Sequence, residues 1–145
     1  MRILGLDVGN KRIGVAVSDE LGITAQGVGV IERGDVKRDI ERISEIVKRY
    51  QVKKVIIGLP LNMNGTLGPQ GQLVKDFGEK LRHSLNLDVE YWDERLSTVT
   101  AEKVLIDADI SRRKRKGVID KLSAIVILQS FLDSRSNIDT GSKLL

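Results

Sequence analysis

The first eighteen residues read as two largely apolar strands, Arg2–Val8 and Arg12–Ser18, joined by a tight turn through Gly9 and Asn10. A third strand is expected over residues 22–31, with Val28, Val30 and Ile31 as its apolar part. From Val36 the period changes. Val36, Ile40, Ile43, Val47 and Tyr50 fall on one face of a helix whose other face carries Lys, Arg, Asp and Glu. The unbroken apolar run in Val52–Leu59 predicts a strand covered on both faces. A turn-rich loop over residues 60–69 follows, holding Asn62, Asn64, Gly65 and Gly68. Leu73, Phe77 and Leu81 have helical spacing, and Leu87, Val89 and Tyr91 alternate with Asp88, Glu90 and Trp92 as in a strand. Ser97 or Thr98 is positioned to cap a helix bearing Ala101, Val104, Leu105 and Ala108, and residues 118–132 read as a last, mostly buried helix.

The resulting order, β-β-β-α-β-α-β-α-α, predicts an α/β fold: a central five-stranded mixed sheet, three antiparallel strands then two parallel, flanked by helices. At 145 residues the chain fits one domain, expected over residues 1–135, with residues 136–145 as a polar tail. Aromatics are only 3% of the chain, so the core must be built from Ile, Val and Leu. The absence of cysteine excludes disulfides, thiolate nucleophiles and cysteine-ligated zinc. No apolar run is long enough to span a bilayer and no signal-like preamble opens the chain, so a cytoplasmic, membrane-independent protein is expected.

Charge adds a local feature. Arg112, Arg113, Lys114, Arg115 and Lys116 are consecutive, and removing those five charges from the net +4 leaves −1 for the remainder. The basicity is a patch, suited to a polyanion such as nucleic acid; the plainer reading is a solvated loop.

Three acids stand where solubility alone would not put them. Asp7 ends the apolar part of the first strand, and burying it without a cation or hydrogen bonds is expensive. Glu94 lies just past the fifth strand, and Asp120 in the first turn of the last helix. If the first and fifth strands run parallel, their carboxyl ends share an edge, and a helix across it adds Asp120. Such a cluster suits Mg²⁺ or Mn²⁺ and the hydrolysis of a phosphodiester. The competing readings are a surface pair of Glu94 with Arg95 or Arg12, and a helix-dipole role for Asp120. Asp19 and Asp93 are weaker candidates for the cluster, since either also suits a turn. His83 falls on the polar side of a helix, which argues against a Ser-His triad. No phosphate-binding Gly-x-x-x-x-Gly-Lys-Ser/Thr loop is present.

Four segments, Asp7-Val8-Gly9-Asn10-Lys11-Arg12-Ile13-Gly14-Val15-Ala16-Val17-Ser18-Asp19, Gly58-Leu59-Pro60-Leu61-Asn62-Met63-Asn64-Gly65-Thr66, Asp93-Glu94-Arg95-Leu96-Ser97-Thr98 and Asp120 with Ser123-Ala124, together resemble the YqgF (RuvX) family. The resemblance implies a ribonuclease H-like fold and a metal-dependent nuclease, with Asp7, Glu94 and Asp120 as both catalytic and metal-binding acids. It implies 5′-end processing of precursor 16S ribosomal RNA or, alternatively, cleavage of Holliday junctions. A non-catalytic nucleic-acid-binding module of the same fold is the rival of another class. Lys11, Arg12, Asn62, Asn64, Arg95 and the run Arg112, Arg113, Lys114, Arg115 and Lys116 are the expected nucleic-acid contacts. Two positions depart from the family pattern: Asn64 stands where many relatives carry an acid, and Ser123 follows Asp120 where RuvC has a second acid. The sequence shows no dimerisation device, which favours a monomer and, with it, an RNA substrate over a four-way junction that needs two active sites.

Overall fold

The computed structural model describes residues 1–97 and 122–135. Five strands form one sheet in the order β3-β2-β1-β4-β5: β1 Arg2–Val8, β2 Arg12–Ser18, β3 Ala25–Glu32, β4 Val52–Leu59 and β5 Asp88–Asp93. β1 pairs antiparallel with β2, and β2 with β3, whereas β1–β4 and β4–β5 are parallel. This is the expected mixed sheet. Its consequence is that β1, β4 and β5 all end at the same edge.

Alternation along the strands assigns each side chain a face. Leu4, Leu6 and Val8 of β1, with Val55, Ile57 and Leu59 of β4, face one core beneath two helices, α1 Val36–Tyr50 and α2 Pro69–Leu85. Ile3 and Ile56 face the opposite core with Ala124, Ile127, Leu128, Phe131 and Leu132 of a third helix, α3, described over residues 122–135. On that second face the two central strands carry glycine. A Cβ at Gly5 would stand 2.7 Å from Leu128 Cβ, and one at Gly58 would collide with Ile127. These two glycines let α3 lie directly on the sheet.

The helix boundaries have local causes. Asp35 caps α1 by accepting from the Arg38 backbone N–H at 2.8 Å, and Gln51 ends it in the left-handed conformation (φ 54°). α2 starts at Pro69, earlier than its apolar spacing suggests, because proline suits a first helical turn whose N–H has no partner. Its buried face is Val74, Phe77 and Leu81; Leu73, expected on that face, is exposed. β3 begins at Ala25, three residues later than its sequence reading. Residues 19–24 form a turn in which Asp19 Oδ1 accepts from the N–H groups of Ile23 (2.7 Å) and Thr24 (3.1 Å). These bonds hold the Asp19 carboxyl below its ordinary pKa and settle it as a turn residue.

One buried polar cluster was not legible in the sequence. Asp39 on α1 is fully buried; its carboxylate accepts from Arg33 Nε at 3.1 Å and from the Gly34 N–H at 2.9 Å. Arg33 also donates to the Gly9 carbonyl (2.9 Å) and lies over the Phe77 ring. The cluster thereby ties the turn after Asp7 to α1 and α2. Removing one partner of such a pair strands the other. Asp39→Ala is therefore expected to lower unfolding stability by about 3 kcal/mol, read as a shifted urea midpoint at unchanged slope; a loss under about 1 kcal/mol would show the cluster to be dispensable.

Candidate active site at the carboxyl edge of the sheet

Asp7 is the penultimate residue of β1 and continues the Ile3, Gly5 alternation onto the α3 face. Glu94 directly follows β5, continuing the Glu90, Trp92 alternation, and opens a 3₁₀ turn, Glu94–Ser97. The intervening strand β4 contributes no side chain here. At Gly58, a Cβ would stand 2.8 Å from Glu94 Oε1, so the missing side chain is the space Glu94 occupies. Parallel strands and one glycine between them therefore bring the two acids together.

The pair is electrostatically strained. Burial first, then the neighbouring charges of Asp7 and Asp93 and a hydrogen bond to Asp7, push the Glu94 carboxyl up from 4.5 to about 7. Below that value Glu94 holds a proton that it donates to Asp7. Two half-buried carboxyl groups facing each other fit a divalent cation, which would relieve their repulsion through oxygen ligands alone. Among the described residues no group of three or more such ligands occurs. Asp120, expected as the third acid, lies outside the described residues, as do Arg112, Arg113, Lys114, Arg115 and Lys116 and the helix expected around Ala101–Ala108.

The competing pairings for Glu94 are not those adopted by the arginines. Arg95 turns to Asp93, donating from Nε at 3.0 Å and from Nη2 at 2.7 Å, and Arg12 pairs with Glu32 at 3.0 Å. That clamp holds the Asp93 carboxyl below its ordinary pKa. Arg95 further donates from Nη1 to the Met63 carbonyl at 3.2 Å, which ties the 60–67 loop to the residue beside Glu94. Asn62 and Asn64 are engaged within that loop: Asn62 Nδ2 donates to Thr66 Oγ1 (2.9 Å), and Asn64 Oδ1 accepts from Thr66 N–H (3.1 Å). Lys11 and Arg12, both exposed, line with Asp7, Gly9, Asn10 and Gly14 a concavity of about 330 Å³. Sequence reasoning missed the structural duty of Arg95, for which the only signal was an acid two residues before it.

A model of the family described as "RuvX: Holliday junction resolvase" matches residues 1–134. The chain belongs to the RuvX family. Proteins of Bacillus thuringiensis and Bacillus anthracis, each named "Putative pre-16S rRNA nuclease", are 61% identical to it over 139 residues, covering 93% of this chain and all of theirs. Membership and these relatives make it a hydrolytic nuclease. Among solved structures, RuvC of T. thermophilus in complex with a Holliday junction substrate superposes with TM-score 0.66 at 15% identity, covering 94% of this chain and 96% of that one. The fowlpox virus Holliday junction resolvase gives 0.56 at 17%, covering 92% and 99%. These two share the fold. Nucleases of that fold generally use divalent metal ions. Among the described residues no helix is long and apolar enough to cross a membrane.

The raised Glu94 pKa has a signed consequence. Its folded value exceeds its unfolded value, so its contribution to stability is fully present below pH 4.5 and is lost as pH rises to about 7. In metal-free buffer, melting temperature should fall across that window in the wild type, and the fall should be shallower in Glu94→Gln. Identical pH profiles for the two proteins would show that Glu94 titrates normally.

Proposed function

We propose that this RuvX protein is a metal-dependent endonuclease of structured RNA that trims the 5′ end of precursor 16S ribosomal RNA in the cytoplasm. The observation that carries the catalytic part is the Asp7–Glu94 contact, which places two acids side by side and pushes the Glu94 carboxyl up to about 7. The substrate choice rests on the names of relatives 61% identical over nearly the whole chain.

Asp7 and Glu94, joined by Asp120, would hold Mg²⁺ or Mn²⁺. Asp120 precedes Ala124 by four residues, one helical turn in sequence, and the Ala124 carbonyl lies against Gly5, two residues before Asp7. Such an ion supplies charge neutralisation at the scissile phosphate and activation of the attacking water. The chain's own residues do the rest. Lys11 and Arg12 border the concavity next to Asp7 and draw the phosphate backbone into it. Asn62 and Asn64 shape the loop beside the site and offer their remaining amide capacity to sugar or phosphate. Arg112, Arg113, Lys114, Arg115 and Lys116 hold the backbone farther along the strand. Hydrolysis leaves a 5′-phosphate and a 3′-hydroxyl. One catalytic centre suffices for one RNA strand, and the protein acts as a monomer.

The resolvase description of the family favours a second reading, paired cleavage of a four-way DNA junction, which would require a dimer. A cleavage assay in Mg²⁺ and in Mn²⁺, comparing a precursor 16S RNA fragment with a four-way DNA junction, separates the two. The RNA is expected to be cut and the junction spared. Loss of a group that merely supports a ligand costs 10- to 100-fold, so Asp7→Asn should slow cleavage by about 100-fold or more while binding persists. Cleavage of the junction alone would overturn the substrate; absence of metal-dependent cleavage of either would overturn the nuclease reading in favour of a binding module.

A further inference from the structure

The loop between β4 and α2 has a feature that hydrolysis does not use. Met63 is 97% exposed, more than any other large apolar side chain among the described residues, and Leu96, on the far side of Arg95 in sequence from Glu94, is 59% exposed. An exposed methionine on a loose tip would mean little. This tip is built: Leu61 and Leu67 form an antiparallel bridge, Asn62 N–H donates to the Thr66 carbonyl (2.9 Å), and Gly65 N–H donates to the Asn62 carbonyl (2.8 Å). Gly65 adopts φ +85°, and a Cβ there would lie 3.6 Å from the Arg95 guanidinium. Arg95, clamped by Asp93, donates to the carbonyl of Met63 itself. The loop is therefore fastened to the residue that follows Glu94, with its apolar side chain turned outward.

We propose that the 61–67 loop is a preformed wedge whose Met63 side chain packs against an unstacked base of the nucleic acid, beside the phosphate engaged at Asp7 and Glu94, with Arg95 as the positioning residue that fixes the wedge relative to the acids. This deepens the nuclease reading and rests on it. Three considerations favour a base as the occupant. The thioether is unbranched and polarizable and fits the face of any base without sequence preference. Apolar side chains next to basic ones are the usual means of parting stacked bases, the charges holding the backbone while the wedge replaces the lost stacking. Lys11 and Arg12 beside Asp7 provide that charge on the same edge of the sheet. The wedge would select sites where pairing ends, since a base already free of its partner is the least costly to displace.

The test uses an RNA stem with a single-stranded 5′ extension, carrying 2-aminopurine at the boundary, titrated in Ca²⁺, an oxygen-liganded cation too large for the tight octahedral geometry of Mg²⁺, so that binding is read without cleavage. The wild type should raise 2-aminopurine fluorescence on binding. Met63→Ala should cut that rise about threefold, Met63→Phe should retain it, and Leu21→Ala, at an 81% exposed position in the turn at the opposite end of the sheet, should match the wild type. Melting temperatures should be equal, because Met63 supports no core. An undiminished rise in Met63→Ala with intact RNA binding would overturn the wedge and leave the nuclease reading standing. Failure of the wild type to bind the RNA at all would overturn both.

Discussion

Asp7 and Glu94 face each other across a strand that carries no side chain at that point, and the rest of the architecture serves this unfavourable contact. Two carboxyl groups in a half-buried site cannot both ionise cheaply, and Glu94 accordingly keeps its proton up to about pH 7. The fold tolerates the strain because the scaffold around it is over-determined. Parallel pairing through β4 fixes the register of β1 and β5. Gly58 leaves the space, and α3 closes the apolar wall against Gly5 and Gly58. On the opposite face, Arg33, paired with the buried Asp39, fastens the turn that follows Asp7.

Much of this was legible in the chain. Apolar runs bounded by turn residues located β1, β2 and β4 to the residue, and the period of 3.6 located α1 from Val36 to Tyr50. Asp7 stood out because a lone acid in an apolar strand demands an explanation, and Glu94 because it lies just past the apolar part of the fifth strand. What stayed hidden depends on tertiary contact. Asp39 looks like any acid on the polar face of a helix until Arg33 is brought over it. Leu73 has helical spacing but lies outside the stripe set by Val74, Phe77 and Leu81. Arg95 reads as a nucleic-acid contact in isolation, whereas its guanidinium is taken up by Asp93 and the Met63 carbonyl.

The two faces of the sheet divide the labour. The face under α1 and α2 is an aliphatic core of ordinary construction, and it supplies rigidity. The α3 face carries small residues at Gly5, Gly58 and Ala124 where helix meets sheet, and it ends at the acids. The β4–α2 loop stands at the same edge and is coupled to β5 through Arg95, so the acid pair and the exposed Met63 form one mechanical unit. In this arrangement Arg95 holds the exposed loop to the end of β5, next to Glu94.

The central claim is that Asp7 and Glu94 are brought together to hold a divalent cation. The most direct measurement is the number of protons released when Mn²⁺ binds, obtained by calorimetry in buffers of different ionisation enthalpy. With Glu94 titrating near 7, binding should release about one proton at pH 6 and almost none at pH 8, and Glu94→Gln should abolish the release. Binding without proton release at pH 6, or no binding at all, would contradict the account.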